Sequence, residues 1–226
     1  MSASLAARLG ITNEDLWYAS RGSGVVLLVL LSLAVVLGVA VRSGWAPGST
    51  LRFVVEGLHR NVALVGVALL VVHVVTAELD PFVTIGWVAA VVPFASPYRG
   101  PWIGLGAVSL DLALAITATS LVRRFLGYRT WRAVHILAYA AWPAAFVHSL
   151  RAGNDTRVTW VAATMWACAA GVAVAVAARL AGEKPAGRWS RRAVDNPTPA
   201  PATVPLPAAT HKVGGRRRPL AATEKR

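Results

Sequence analysis

The chain is 226 residues long, 56% hydrophobic and only 15% charged, with a mean hydropathy of +0.55, a composition outside the range of soluble globular domains. Its net charge of +13 would suggest nucleic acid in a soluble protein, but the basic residues lie between and after long apolar runs, where topology and anionic lipid account for them and no nucleic acid is expected. The single cysteine, Cys168, excludes an intramolecular disulfide and any cysteine-ligated cluster or covalent CxxCH haem.

Residues 1–22 form a polar N-terminal segment ending in LWYASRGSG, with Trp17 and Tyr18 as interface anchors. The first span is predicted over Gly24 to Val41. It is too long for a signal-peptide core and is preceded by Glu14 and Asp15, so it is read as retained. Its Leu, Val and Ala content carries no polar chemistry and is assigned to packing alone. A connector from Arg42 to Glu56 leads to the second span, Gly57 to Leu79, which contains His59 and His73. Fourteen residues apart on an α-helix, these rise by ~21 Å and fall only ~40° short of whole turns. Both imidazoles therefore share one stripe at two depths.

Asp80-Pro81 ends that span, and Phe82 to Val92 is enclosed by Pro81 and Pro93. Its eleven residues compare with the ~20 a perpendicular helical crossing needs, so an interfacial or re-entrant piece is expected. The next span, Trp102 to Leu121, holds Asp111, for which a proton route, a quinone contact and a plain interhelical hydrogen bond are all open. After a basic loop, Arg123 to Arg129, comes Trp131 to Leu150, with His135 and His148. A fifth span is expected over Val158 to Leu180. The expected fold is thus all-α, a polytopic bundle of five spans plus the short segment, with residues 23–181 as the membrane domain. From Gly182 onward a Pro/Ala/Arg/Lys-rich tail cannot bury a core and is expected to be disordered.

Five spans put Arg42, Arg52, Arg60, the loop from Arg123 to Arg132 and the near part of the tail on one side, with twelve basic residues against five on the other. Positive residues stay inside, so the N-terminus is expected outside and the tail in the cytoplasm of a plasma (inner) membrane protein. If Phe82 to Val92 crossed, the count would be eleven against six in the opposite sense. The length between the prolines favours five.

An ionisable side chain within a span is costly and by default marks function. The second and fourth spans run in the same direction, so His59 falls level with His135 near the cytoplasmic side and His73 level with His148 near the outer side. Two neutral imidazoles from facing helices in each layer suit the two axial positions of a haem iron. A zinc or copper site would need all four ligands to converge, which two pairs ~20 Å apart cannot do. Plain interhelical hydrogen bonding is the competing reading. One spacing fits less well: His135 and His148 are 13 apart, ~140° from one stripe on an ideal helix, with Pro143 between them. Local tightening or different azimuths would reconcile it. Arg60, Arg124 and Arg132 stand where propionates of an inner haem would emerge, and Arg99 and Arg151 near the outer ones, although arginines at helix ends also serve topology. Trp142 and Phe146, between the layers, are read either as an electronic bridge or as packing.

Through LHRNVALVGVALLVVH and WRAVHILAYAAWPAAFVH, supported by LWYASRGSG, VPFASPYRGPWIGLGAVSLDL and TSLVRRFLGYRTWRAVH, the sequence resembles the ferric reductase-like transmembrane domain family over about residues 15–181. That family takes in the membrane domains of NADPH oxidases and the haem-binding membrane subunit of the bacterial periplasmic methionine sulfoxide reductase system. The resemblance implies a bundle holding two non-covalent b-type haems, each with one histidine from each of two helices, that moves single electrons outward. It implies the membrane oxidoreductase component of a ferric reductase-like system. The tail is too short for the flavin and NADPH domain of many relatives, so no flavin is expected on this chain, and a separate flavin reductase or a membrane quinol is the expected donor. Quinone is an open further cofactor, and the outer acceptor is ferric iron, a periplasmic reductase or oxygen. The alternative class is a non-catalytic membrane scaffold whose basic tail recruits a partner or anionic lipid.

Overall fold

A computed structural model describes residues 10, 12–43, 49–83, 85–153 and 157–182. Of the tail expected from Gly182 onward, Gly182 closes the last helix and residues 183–226 lie outside the described residues. Among the described residues seven helices follow in order: α1 Asn13–Ser43, α2 Ser49–Leu79, α3 Trp87–Val91, α4 Gly100–Leu121, α5 Tyr128–His135, α6 Ala138–Ala152 and α7 Thr159–Gly182. α5 and α6 lie on one 25-residue segment, and with it five segments are long and apolar enough to cross a membrane. The described residues contain no strand. The protein is a multi-pass membrane protein.

Two helices begin earlier than expected. α1 starts at Asn13, inside the segment read as a polar leader, because Thr12 and Asp15 form a reciprocal cap. The Thr12 hydroxyl accepts from the Asp15 backbone N–H at 3.1 Å, and Asp15 Oδ2 accepts from the Thr12 N–H at 2.9 Å. Glu14 and Asp15 also place negative charge on the first turn, where the helix dipole favours it. α2 starts at Ser49 within the expected connector, and its added turns carry the exposed i,i+4 pair of Arg52 and Glu56 at 3.0 Å.

α2 stops at Leu79. Asp80 Oδ1 accepts the Phe82 N–H at 2.9 Å across Pro81, a turn that a proline-interrupted backbone needs because Pro81 has no donor. The following α3 has five residues, a length of ~7.5 Å against a hydrocarbon core of ~30 Å. It does not cross. Phe94, at a φ of 67°, lies so close to Gly104 of α4 that a Cβ there would stand 2.2 Å from its ring. Ser96 Oγ donates to the Tyr98 carbonyl at 3.0 Å, so the segment is docked on α4 and closed locally.

α1 is the centre of the bundle, packing on α2, α6 and α7, while α4 packs on α3, α5 and α6. Leu28, Val161 and Met165 form a buried cluster between α1 and α7, with Phe146 of α6 against it. Association of helices in lipid rests on close packing and polar contacts rather than on hydrophobic transfer. α1 accordingly buries Ser20, Ser23 and Ser32 beside its leucines, and Ser109 Oγ of α4 donates to the Ala141 carbonyl of α6 at 3.1 Å.

Candidate functional site

α2 is held chiefly on α1 and α6 chiefly on α4, with α1 also touching α6, and the two histidine-bearing segments, α2 and α5–α6, face one another across a gap. The four histidines project into it from both sides. His59 and His135 have ring centroids 6.1 Å apart with planes at 70°, and His73 and His148 are 6.4 Å apart at 85°. The helices therefore run parallel, as the two-layer reading requires.

The 13-residue spacing is accommodated upstream of Pro143. Leu137, Tyr139 and Ala140 donate to the carbonyls three residues back, those of Val134, Ile136 and Leu137, at 2.9 to 3.1 Å. A stretch at three residues per turn adds ~20° and ~0.5 Å per residue over an α-helix. Over five or six residues it recovers roughly 100° of the ~140° deficit and brings the rise to ~22 Å, close to the ~21 Å between the α2 histidines. Pro143 itself lies inside α6.

Three of the imidazoles are anchored in the same way. His73 Nδ1 donates to the Ser20 carbonyl at 2.8 Å, His59 Nδ1 to the Ala34 carbonyl at 2.9 Å and His148 Nδ1 to the Trp102 carbonyl at 2.9 Å. In each case the residue four positions after the acceptor is glycine: Gly24, Gly38 and Gly106. A carbonyl inside a helix already accepts from its own i+4 N–H, and a side chain at i+4 would screen its free lone pair. A Cβ at Gly24 would stand 3.0 Å from His73 Cε1, one at Gly38 3.2 Å from His59 Cε1, and one at Gly106 2.6 Å from His148 Nδ1. The glycines are notches that admit an imidazole to the backbone.

α1 thus supplies two acceptors and two notches, which corrects its assignment to packing alone. Gly24 and Gly38 are 14 apart, the interval of His59 and His73 on the antiparallel α2, and that matched spacing was the signal in the sequence.

The fourth imidazole differs. His135 Nδ1 is buried and has no hydrogen-bond partner among the described residues. Its ring instead stacks on Trp131, with centroids 4.9 Å apart and planes at 29°.

With Nδ1–H committed to a carbonyl, Nε2 keeps its lone pair for a metal. A metal–imidazole nitrogen bond of ~2.0 to 2.1 Å, with ~1.2 Å from nitrogen to ring centre, puts two trans imidazole centroids ~6.4 Å apart. Both observed separations fit that value. Among the described residues no group of three or more His, Cys, Asp or Glu converges on one point. Two ligands per layer suit an ion whose remaining ligands come from a macrocycle, and the haem expected from the sequence fits the residues present. Around the outer pair lies a cavity of about 270 Å³ lined by Trp17, Arg21, Glu78, Asp80 and Tyr98 among others. Trp17 is thus part of the cavity wall as well as the N-terminal aromatic pair with Tyr18.

The arginines divide. Arg124, Arg132 and Arg151 are exposed at helix ends or in the basic loop, and Arg60 is exposed within α2 beside His59, with Arg124 over the Phe125 ring at 4.5 Å and Arg151 over Trp102 at 5.2 Å. Arg99 donates to the carbonyls of Arg151 and Ala152 at 3.0 and 3.2 Å and so caps α6. Arg21, which was not singled out in the sequence, lines the outer cavity and lies 4.3 Å from the Trp17 ring. Trp142 and Phe146 stack on one another at 5.2 Å, and Trp142 Nε1 donates to Ser32 Oγ at 2.9 Å. Asp111 is half-buried on α4.

The ferric reductase-like transmembrane component family matches residues 23–146. That range includes His59, His73 and His135 and ends two residues before His148, whose ring the fold pairs with His73. No curated protein and no solved structure matches the chain. The family points to an oxidoreductase domain in transmembrane electron transfer. By a match over more than half its length, together with its five spans, the chain belongs to the ferric reductase-like transmembrane component family.

Proposed function

We propose that the chain moves single electrons across the membrane through two b-type haems, one held by His59 and His135 and the other by His73 and His148. The observation that carries this is the pair of imidazole separations, 6.1 and 6.4 Å, each of a size that would let two imidazoles share one metal ion. Bound there, a haem supplies a reversible one-electron couple. The protein's part is to fix the ring planes, commit Nδ1 to backbone carbonyls at three of four ligands, and surround the couple with apolar side chains.

Two histidines in each layer would hold the haem from both sides, which would favour outer-sphere electron transfer over oxygen binding at the metal. Arg60, Arg124 and Arg132 serve the inner propionates, and Arg151 with Arg21 the outer ones. Electrons enter from a separate flavin reductase or a quinol and leave at the outer face, to ferric iron or a periplasmic reductase. The N-terminus lies outside and the tail in the cytoplasm, in the plasma (inner) membrane.

Purified protein expressed with ample haem is expected to carry two haems per chain with a low-spin spectrum. His73→Ala and His148→Ala each remove the outer haem, while His59→Ala and His135→Ala remove the inner one. Haem-free wild-type protein overturns the reading and leaves the scaffold alternative.

A further inference from the structure

On α4, the position 14 residues after the Gly106 notch is Ser120. On α1 the same interval leads from one glycine notch to the other, Gly24 to Gly38. α4 therefore repeats the spacing of α1 with its second notch occupied by a side chain. At that place the Trp131 indole Nε1 donates to Ser120 Oγ at 3.3 Å, and the indole lies against His135. Arg123 stands 4.9 Å from the indole centroid, which adds a cation–π contact on the exposed rim. His135 is the last residue of α5, immediately before the turn at Ile136 and Leu137, and its Nδ1 is buried without an acceptor. Among the described residues the stacked indole stands where the other three rings have a carbonyl, with the facing His59 ring as the other aromatic neighbour.

We propose that Trp131, tethered to Ser120, is the positioning residue for His135, and that without it the inner pair alone becomes open to a small exogenous ligand. This rests on the two-haem reading. A carbonyl acceptor fixes both ring azimuth and tautomer. A stacked indole fixes only the plane. Without the indole the His135 imidazole would be free to turn away from a haem held there, and that haem would then be open to carbon monoxide, whereas one held by two histidines would not. The outer pair keeps its anchors at Ser20 and Trp102 and does not respond.

The test uses the full chain in detergent, wild type beside Trp131→Ala, Trp131→Phe and Ser120→Ala, with Trp160→Ala as a control at a tryptophan 65% exposed. Haem per chain is measured first by the pyridine haemochrome assay, because a wild type without haem sinks the two-haem reading and not this one specifically. With two haems present, Trp131→Ala is expected to turn about half of the ferric haem high-spin by electron paramagnetic resonance and to bind carbon monoxide at about half of the reduced haem. Trp131→Phe, which keeps a stacking ring, restores the low-spin state, and Ser120→Ala gives an intermediate high-spin fraction. Trp160→Ala behaves as wild type. The proposal is overturned if Trp131→Ala stays fully low-spin and silent to carbon monoxide, or if both haems change equally. Should Trp131→Ala not accumulate, Ser120→Ala decides alone: a spectrum identical to wild type overturns it.

Discussion

His148 Nδ1 lies 2.9 Å from the Trp102 carbonyl, and a Cβ on Gly106 would stand 2.6 Å from that nitrogen. Two demands meet at one atom: the imidazole must reach the backbone, and the helix must present no side chain there. Clearances at the three notches run from 2.6 Å at Gly106 through 3.0 Å at Gly24 to 3.2 Å at Gly38, with nothing within 4 Å at Gly171 of α7. Alanine substitution is therefore expected to act in that order. Gly106→Ala loses the outer haem, Gly24→Ala weakens its retention, Gly38→Ala shifts the inner spectrum slightly, and Gly171→Ala changes nothing. Haem per chain and the α-band position check the series, and equal losses at Gly106 and Gly171 would discard the notch account. The histidines were legible in the sequence because an ionisable ring in a span is conspicuous. The glycines were not, since a glycine in a membrane helix is common and its meaning comes from the ring opposite.

At the scale of the element, the break between α5 and α6 sets the phase of one ligand against the other. His135 closes α5, and the i→i−3 bonds over Val134 to Ala140 bring His148 onto the stripe that faces α2. An alanine inserted between Ile136 and Leu137 would turn α6 by ~100° relative to α5. The expected result is loss of the outer haem with the inner one kept, read as one haem per chain. Full occupancy of both sites after insertion would show that the break is compliant and does not set the phase. Sequence reading identified the misfit of 13 residues and pointed to Pro143, the conspicuous local breaker. The tightening lies before it, where no glycine or proline marks the chain and only tertiary packing selects i→i−3 over i→i−4 bonds. The start of α1 is more accessible: Thr12 and Asp15 have the spacing of a capping box, which the polar composition of residues 1–22 masks. Interhelical polar contacts belong to this scale too. Trp142→Phe removes the bond to Ser32, and such bonds in membranes average ~0.6 kcal/mol. A small fall in thermal stability with an unchanged haem spectrum is expected, because Phe146 packs against the α1–α7 cluster and Trp142 stacks on Phe146.

At the scale of the molecule, the ring pairing decides a question that charge counting left close. His59 faces His135 and His73 faces His148, so α2 and the α5–α6 segment run the same way, and an odd number of crossings must separate them. α4 is that crossing; α3, with five residues, adds none. Two separating crossings would have set the helices antiparallel and put His59 beside His148. Basic residues set the expected orientation: α4 ends by Arg123 and Arg124, α5 begins by Arg129 and Arg132, and α2 carries Arg52 in its first turn. Cys168 lies within α7, so a Cys168→Ser background leaves the chain free of thiols. On that background Ala95→Cys, at an exposed position in the turn between α3 and α4, and Gly127→Cys, in the exposed loop before α5, report opposite faces. A membrane-impermeant maleimide applied to intact cells is expected to label Ala95→Cys and to reach Gly127→Cys only after the membrane is opened. The reverse pattern would invert the orientation and with it the direction assigned to electron flow, leaving the pairing of the histidines untouched. Labelling of both from outside would instead place an even number of crossings between the two positions, which the single helix α4 does not allow.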